Sequence, residues 1–394
     1  MNIFNSLGSN YSLKYVLKSL FAHSGGQDRK LKNFLEEKYN GKAILAYKGR
    51  EALTLALKIL NLPEKTGVAI NGFTCLAVYK AIEEAGLTPF CLDLEGKNTD
   101  LNFTAETFEN ILKENKNIGV VVVQNTLGYP CNIERIAKIC NEKNIILIED
   151  LAHCVGTKYQ DGKEAGSAGD FVALSFSQDK IIDAVSGGAL VIRNKKYNNL
   201  TMSTASDAVK QFHNVSKYQQ FKDRLYPSLT YKIRFLYHLG LGKLLHFLIK
   251  KLNFLSKPMQ EGLYDFYSLP NWYCNLALYE FKKLSQQLNH RRKIAKIYSD
   301  NLDKKILQSR ITNQITLSSN LRFPIFVENR NSLIKFLKKS EIFISDIWYD
   351  DVAPECPNAV EISKTILNLP THINVTEKDA LRITERINVW LKSQ

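Results

Sequence analysis

Lys180 is the residue at which the sequence most strongly indicates chemistry. It follows the apolar run 171–174 after a short polar segment, and the glycine pair Gly187-Gly188 comes a few residues later. Asp150 ends another run, 145–149, which is apolar except for Glu149. A lysine amine can form a Schiff base with a carbonyl cofactor, and a buried carboxylate can hold a cationic ring. These two residue types at strand ends therefore predict pyridoxal phosphate chemistry.

The composition is that of an ordinary globular protein, because 45% of the 394 residues are hydrophobic and 23% are charged. The first residues lack a basic segment followed by an apolar one, and no apolar run is long enough to span a membrane. The seven cysteines show no CxxC pair and no zinc spacing. We therefore expect a cytoplasmic protein with reduced thiols and no metal site.

Positive charge is concentrated between residues 201 and 260. Ten basic residues lie there against two acidic ones, which accounts for more than half of the net charge of +14. Leucines and lysines from Leu241 to Leu255 have helical spacing. The pattern is typical of an amphipathic helical surface, and it also fits an anionic partner: a phosphorylated substrate, or a membrane contacted through 229–258. Nucleic acid is not expected, because no reader motif accompanies the charge.

Strand and helix patterns alternate from about residue 41 to residue 195. Charge-free runs such as 119–123 are separated by segments with helical apolar spacing, such as 49–60. Buried strands that alternate with helices predict an α/β fold with a mainly parallel sheet covered on both faces. Ligands of such sheets bind beyond the carboxyl ends of the strands, which is where Asp150 and Lys180 fall.

The chain is predicted to divide into four parts. An N-terminal helical segment, 1–40, precedes a large cofactor-binding domain, 41–200. The basic aromatic stretch, 201–260, is expected to be a helical insertion. A smaller C-terminal α+β domain, 261–394, is expected from a long helical pattern, a strand and a closing helix.

Five segments carry a resemblance to a known family. In chain order they read YKGREAL at 47–53, GFTCLA at 72–77, NTLGYP at 125–130, IEDLAH at 148–153 and SFSQDK at 175–180. With these motifs the chain resembles the sugar aminotransferases of the DegT/DnrJ/StrS family, from about residue 30 to the end apart from the basic stretch. The resemblance implies a three-layer large domain like that of aspartate aminotransferase, and pyridoxal 5'-phosphate as cofactor.

The resemblance also implies a role for each site residue. Lys180 corresponds to the lysine that binds the cofactor and shuttles protons, and Asp150 to the partner of the pyridine nitrogen. His153 fits the position near the phenolic oxygen. Ser175 is similar to the family's phosphate-binding serine, and the backbone at Gly49 matches its phosphate turn. The lysine amine must be neutral near pH 7, and a desolvated pocket with a nearby cation would lower its pKa.

Three positions depart from the family pattern. Arg50 follows the phosphate-turn glycine where many members have Thr or Ser, and it either contacts the phosphate or faces solvent. Cys75 takes the place of the aromatic residue on which the ring stacks, with Phe73 as a neighbouring substitute. Phe266 falls where an asparagine from the partner subunit often reaches the phosphate.

The activity implied by the resemblance is transfer of an amino group from glutamate to a keto-sugar. The sugar would be nucleotide-linked or otherwise anionic, in cell-surface polysaccharide, lipopolysaccharide or secondary-metabolite biosynthesis, and the enzyme a homodimer. The family's dehydratases have histidine in place of the lysine, so Lys180 favours amination. Three alternatives stay open. The first is a related pyridoxal phosphate enzyme that catalyses sugar deoxygenation or another elimination. The others are a membrane-apposed enzyme that acts on a lipid-linked sugar, and a non-catalytic binding or regulatory relative.

Overall fold

The computed structural model describes residues 2–23, 25–96, 100–194, 197, 207–256, 265–344 and 353–394. The strands are β1 (Ile3–Phe4), β2 (Lys42–Ala46), β3 (Gly67–Asn71), β4 (Thr88–Leu92), β5 (Ile118–Val123), β6 (Ile146–Asp150), β7 (Phe171–Ser175), β8 (Gly188–Ile192), β9 (His213–Asn214), β10 (Tyr267–Ser268), β11 (Arg322–Phe326), β12 (Ile342–Phe343) and β13 (Ile366–Pro370). The helices are α1 (Leu13–Leu20), α2 (Gln27–Tyr39), α3 (Gly49–Ile59), α4 (Leu76–Glu84), α5 (Ala105–Glu114), α6 (Ile133–Lys143), α7 (Lys217–Phe235), α8 (Leu241–Lys251), α9 (Asn271–Asn301), α10 (Ser309–Asn313), α11 (Arg330–Lys339), α12 (Pro357–Thr365) and α13 (Glu377–Lys392).

A seven-stranded sheet forms the centre of the large unit, in the order β2-β8-β7-β6-β5-β3-β4. β8 runs antiparallel to both of its neighbours, while the other adjacent strands are parallel. The prediction of an α/β fold with a mainly parallel sheet is confirmed. The strands β2, β3, β5, β6 and β7 therefore all end at the same edge, where ligands of such sheets bind.

Helices cover both faces of this sheet. In β5, Val120 and Val122 belong to a core that includes α3 and α4, whereas Val121 and Val123 belong to a core with α2, α5 and α6. Successive residues of a strand point to opposite faces, and here both sets are apolar. The absence of charge that marked these runs in the sequence thus reflects burial on two sides, which gives the expected three layers.

A second core surrounds the antiparallel pair β11 and β13. Leu333 of α11 and Ile383 of α13 are both fully buried there. The long helix α9 joins the two cores, because Phe281 packs with the large sheet and Tyr298 with the second core. The division of the chain at residue 260 stays a prediction.

The basic stretch contains α7 and α8. Both α1 and α8 pack against α7. None of the helices in the described part of the chain is long and apolar enough to cross a membrane.

Candidate active site

The carboxyl ends of three parallel strands bring the predicted site residues to one edge of the sheet. Asp150 is the last residue of β6, Ser175 is the last residue of β7, and Gly49 opens α3 just after β2. Both Ser175 and Ala46 pair with Gly188, the first residue of β8. The ends of β2 and β7 therefore lie on either side of Gly188.

Gly49 and Ser175 are in such close contact that no side chain fits between them. A Cβ atom at Gly49 would lie 2.5 Å from Ser175 Cβ and 2.8 Å from Ser175 Oγ. The N-cap residue of α3, Lys48, makes no capping hydrogen bond with its side chain. The N–H groups of the first helical turn and the hydroxyl of Ser175 thus form a donor cradle at the positive end of a helix dipole, which fits a phosphate group.

Asp150 is a buried carboxylate at the end of β6. Its Oδ1 accepts a hydrogen bond of 2.9 Å from the N–H of Ala152. Burial raises the pKa of Asp150, while the Ala152 N–H and the charge of Lys180 lower it. Because burial disfavours the charged carboxylate, a cationic ring nitrogen is the kind of partner that would stabilise it.

His153 is almost completely buried, and its Nδ1 accepts a hydrogen bond of 3.3 Å from the N–H of Leu127. Burial lowers the pKa of His153 well below its ordinary value, and the positive charges of Lys180 and Arg322 lower it further. The imidazole is therefore neutral, with its proton assigned to Nε2 because Nδ1 is the acceptor. A neutral Nε2–H donor fits a phenolic oxygen.

The turn that contacts His153 is held by a buried polar network. Asn125 donates to the hydroxyl of Tyr159 at 2.8 Å, and that hydroxyl donates to Oε2 of Glu149 at 2.6 Å. Asn125 and Leu127 both have backbone φ angles near the left-handed region, 51° and 54°. The sequence marks this segment as a motif, but the partners of Asn125 are visible only in the folded chain.

Lys180 lies in the turn after β7, where its N–H donates to the carbonyl of Ser177 at 3.3 Å. Burial lowers the pKa of Lys180, Cys75 and Asp150 raise it, and the charge of Arg322 lowers it. Burial and the charge of Arg322 thus act on the Lys180 amine in the same direction. The cation is a residue from β11 that sequence reasoning did not assign to the site.

The loop that carries Lys180 is organised by the buried carboxylate of Asp183. This carboxylate accepts hydrogen bonds from the N–H of Asp179 at 2.8 Å, the N–H of Val185 at 3.0 Å and the hydroxyl of Tyr11 at 2.9 Å. The hydroxyl of Tyr15 donates to the carbonyl of Asp183 at 2.7 Å. Burial raises the pKa of Asp183 to about 7. The N-terminal segment thus clamps the lysine loop, an interaction that no local sequence signal predicts.

Two buried arginines lie beside this loop. Nη2 of Arg322 is 4.0 Å from Oδ1 of Asp179 and donates to the carbonyl of Asn5 at 2.8 Å. Nη1 of Arg291 donates to Oγ1 of Thr371 at 3.0 Å. Burial and the charge of Arg322 together lower the pKa of Arg291 to about 9. The two guanidinium groups place positive charge beside the lysine loop.

Two of the positions that depart from the family pattern lie at the same edge. Arg50 is half-buried as the second residue of α3, and Cys75 is half-buried directly before α4. Cys75 is close enough to raise the pKa of Lys180. Phe73 is buried in the second core together with Tyr129.

Phe266 packs within its own chain. Its ring stacks on Phe212 with centroids 5.4 Å apart, and Nζ of Lys58 lies 5.3 Å from its centroid. The carbonyl of Phe266 accepts a hydrogen bond from the N–H of His213 at 2.9 Å. The side chain thus contributes to the packing of β9 and β10.

Comparison with known proteins gives a match to the DegT/DnrJ/EryC1/StrS aminotransferase family over residues 10–238 and 257–388. The chain is 31% identical over 172 residues to the GDP-perosamine synthase of Escherichia coli O157:H7, a match that covers 43% of this chain but only 46% of that relative. It is 26% identical over 346 residues to a UDP-4-amino-4,6-dideoxy-N-acetyl-beta-L-altrosamine transaminase of Campylobacter jejuni, covering 84% of this chain and 80% of that protein.

The fold is similar to that of the Streptococcus pneumoniae protein Spr1654, which has been solved in a PLP form and a PMP form. The PMP form has a TM-score of 0.72 at 16% identity and covers 99% of both chains. The prediction that the resemblance starts at about residue 30 and omits the whole basic stretch is corrected by the family match. The match begins at residue 10, and it omits only 239–256 from the basic stretch.

Proposed function

The chain belongs to the DegT/DnrJ/EryC1/StrS aminotransferase family, and we propose that it transfers an amino group to a keto-sugar with pyridoxal 5'-phosphate as its cofactor. One observation carries the proposal. Lys180, Asp150 and His153 meet the Gly49–Ser175 cradle at one edge of the sheet. The names of the relatives from E. coli and C. jejuni support a nucleotide-linked sugar as the acceptor.

Each polar group of the site has a part of the cofactor to bind. When bound, pyridoxal 5'-phosphate supplies a carbonyl that takes up amines and a ring that withdraws electrons from the neighbouring carbon. The Ser175 hydroxyl and the first-turn N–H groups of α3 would bind the phosphate, and Nε2 of His153 would donate to the phenolic oxygen. The Asp150 carboxylate would hold the protonated ring nitrogen through a charge-assisted hydrogen bond worth about 1.5–3 kcal/mol.

Lys180 serves as the attachment point and as the proton carrier. Because burial lowers its pKa, a larger fraction of the amine is neutral near pH 7 than in a solvated lysine. The neutral Nζ would hold the cofactor at its carbonyl carbon, and it would accept a proton from the carbon next to the substrate nitrogen. The Asp183 clamp fixes the loop backbone on both sides of Lys180, so that Nζ returns to one position in each half of the reaction.

Glutamate is proposed as the amino donor. The buried guanidinium groups of Arg322 and Arg291 lie beside the lysine loop, and arginine pairs with carboxylates through two parallel hydrogen bonds. A donor with two carboxylates complements this positive charge better than a neutral amino acid does. We also propose a homodimer, on the strength of the family resemblance.

Cofactor absorption tests the proposal. Purified protein incubated with pyridoxal 5'-phosphate should develop a visible band, which glutamate should convert to a near-ultraviolet band as the amino group is taken up. Borohydride reduction should attach the cofactor covalently to the peptide that contains Lys180, and Lys180→Ala should abolish this attachment. Absence of the band in the wild type, or a reducible adduct in Lys180→Ala, would refute the assignment.

Turnover separates the enzyme from a non-catalytic relative. The glutamate-treated protein should lose its near-ultraviolet band when a nucleotide-linked 4-keto-sugar is added, and a nucleotide-linked amino-sugar should form. Binding of the cofactor without any conversion by amino donors would favour a binding or regulatory role instead.

A further inference from the structure

Helix α8 exposes most of its apolar side chains. Leu244 and Phe247 are exposed by 56% and 62%, Leu241 and Leu248 are exposed as well, and Leu252, directly after the last residue of the helix, is exposed by 72%. On a helical wheel these five residues cover one continuous face, because they recur at intervals of three and four residues. A soluble monomer seldom leaves such a face open to water, so the face indicates a contact with a partner.

The opposite side of α8 fixes the orientation of this face. Gly242 packs so tightly that a Cβ atom there would lie 2.7 Å from the Cα of Tyr237, and Ile249 is buried. Beyond the C-terminal end of α8, Phe254 contacts the ring of Phe221 at 6.1 Å. The helix is therefore held against α7 by its inner side, and its outer apolar face cannot turn inward without breaking these contacts.

The charged residues of α8 and of the segments that flank it are all basic. Lys243, Lys250 and Lys251 are exposed on α8, and no aspartate or glutamate occurs between Arg224 and Glu261. Long lysine side chains beside an apolar face can extend toward a charged layer while their methylene groups lie along the apolar one. This combination matches the boundary of an anionic lipid bilayer, where acyl chains meet negative headgroups.

We propose that α8 binds peripherally to anionic membranes, with its axis in the membrane plane and its apolar face below the headgroups. The helix has 11 residues, which at 1.5 Å per residue is about half the thickness of a bilayer core. It therefore lies on the membrane and does not cross it. The segment 239–256 that contains α8 is the part of the basic stretch outside the family match, so the surface is an addition to the family framework.

A lipid surface explains the face better than the other partners do. A soluble diphosphate would use the lysines but would leave five apolar side chains in water. A second copy of this chain would bring its own basic stretch to a symmetric contact, and like charges would then face each other. Only the bilayer accounts for the apolar face and the lysines together.

Co-sedimentation with vesicles tests the proposal on the full-length protein. The wild-type protein should bind phosphatidylcholine vesicles that contain about 30% phosphatidylglycerol, and the bound fraction should fall as the salt concentration is raised. It should bind vesicles of pure phosphatidylcholine only weakly. The double variant Phe247→Glu/Leu248→Glu should bind at least about tenfold more weakly. Lys243→Gln/Lys250→Gln should lower binding about 30-fold at low salt, since each lysine near the surface contributes about a fivefold factor.

Matched controls separate this effect from a general loss of structure. Leu381→Glu/Val389→Glu also replaces two exposed apolar residues, on α13, and should bind vesicles like the wild type. The cofactor absorption of all variants should be unchanged, because α8 is separate from the Lys180 site. Absence of vesicle binding by the wild type overturns the proposal, as does undiminished binding by Phe247→Glu/Leu248→Glu. A different result would assign the face to a contact between copies of the chain. In that case the wild type does not bind vesicles, and light scattering shows that Phe247→Glu/Leu248→Glu lowers the oligomeric mass.

Discussion

Replacement of Gly49 by alanine tests directly whether the contact between α3 and Ser175 holds the cofactor phosphate. The new Cβ would lie 2.5 Å from Ser175 Cβ and 2.8 Å from Ser175 Oγ, whereas ordinary carbon contacts start at about 3.4 Å. Ser175 is paired with Gly188 in the sheet, and Gly188 itself packs against the backbone of Lys48. Because β7 is packed on this side, it cannot move away from the new methyl group. The first turn of α3 therefore has to move by roughly an ångström.

A displacement of this size has two consequences. If the phosphate stays bound to Ser175, the N–H groups of the displaced turn are too far from it to donate hydrogen bonds. Each charge-assisted hydrogen bond that is lost is worth about 1.5–3 kcal/mol. The dissociation constant of pyridoxal 5'-phosphate should therefore rise at least about tenfold. The strain should also lower the free energy of unfolding by about 1–3 kcal/mol, because the clash is present without the cofactor.

Titration of cofactor absorption measures the dissociation constant, and thermal unfolding with and without cofactor measures the change in stability. Gly25→Ala is the control, because a Cβ atom at Gly25 has no other atom within 4 Å. Ser175→Ala should weaken cofactor binding without the loss of stability, since it removes a donor and adds no atom. A Gly49→Ala protein that unfolds at a lower temperature but binds the cofactor as tightly as the wild type would refute the claim that this turn binds the phosphate.

Three further predictions follow from the pKa and burial of single residues. Asp150→Asn should keep the fold, seen by circular dichroism, and lose turnover at least about tenfold, because an amide cannot hold the ring nitrogen protonated; near-normal rates would assign that nitrogen to another group. Burial raises the pKa of Glu51 to about 7, so the folded state binds the proton of the Glu51 carboxyl group more tightly than the unfolded chain does. The contribution of this proton to the free energy of unfolding is lost as pH rises from about 4.5 to 7. Denaturant unfolding should therefore show Glu51→Gln gaining up to about 3 kcal/mol relative to the wild type between about pH 5 and about pH 8, and a pH-independent difference would contradict this reasoning. Bound cofactor should slow alkylation of half-buried Cys75 by iodoacetamide, with Cys75→Ser to identify the signal; equal rates with and without cofactor would place Cys75 away from the ring.

The positions of Asp150, Ser175 and Gly49 could be predicted from the sequence because the signals are local. A strand buried on both faces is mostly apolar, so polar residues after an apolar run mark the end of the strand; in β6 the buried Glu149 and then Asp150 follow such a run. Parallel strands bring those ends to one edge, which is a property of the fold class and not of the particular loops. The charge-free run 119–123 illustrates the same point, since β5 extends over Ile118–Val123.

The clamp on the lysine loop could not be predicted. Tyr11 and Asp183 are separated by 172 residues, and neither stands in a recognisable motif. The sequence around Tyr11 and the sequence around Asp183 are each compatible with many different hydrogen-bond partners. Only the packing of α1 against α7, and of both beside the sheet, brings the hydroxyl to the carboxylate.

The sequence by itself determined the kind of chemistry, because it placed a lysine, a carboxylate and a small-residue turn at the ends of buried strands. It also determined the amphipathic character of α8, because helical periodicity depends only on spacing. The tertiary structure decided the direction in which the pKa values of the site shift: burial and Arg322 lower the pKa of Lys180, and burial lowers the pKa of His153. It also decided which face of α8 stays in water. Desolvation and charge proximity depend on residues that are distant in the chain, so no local pattern can specify them.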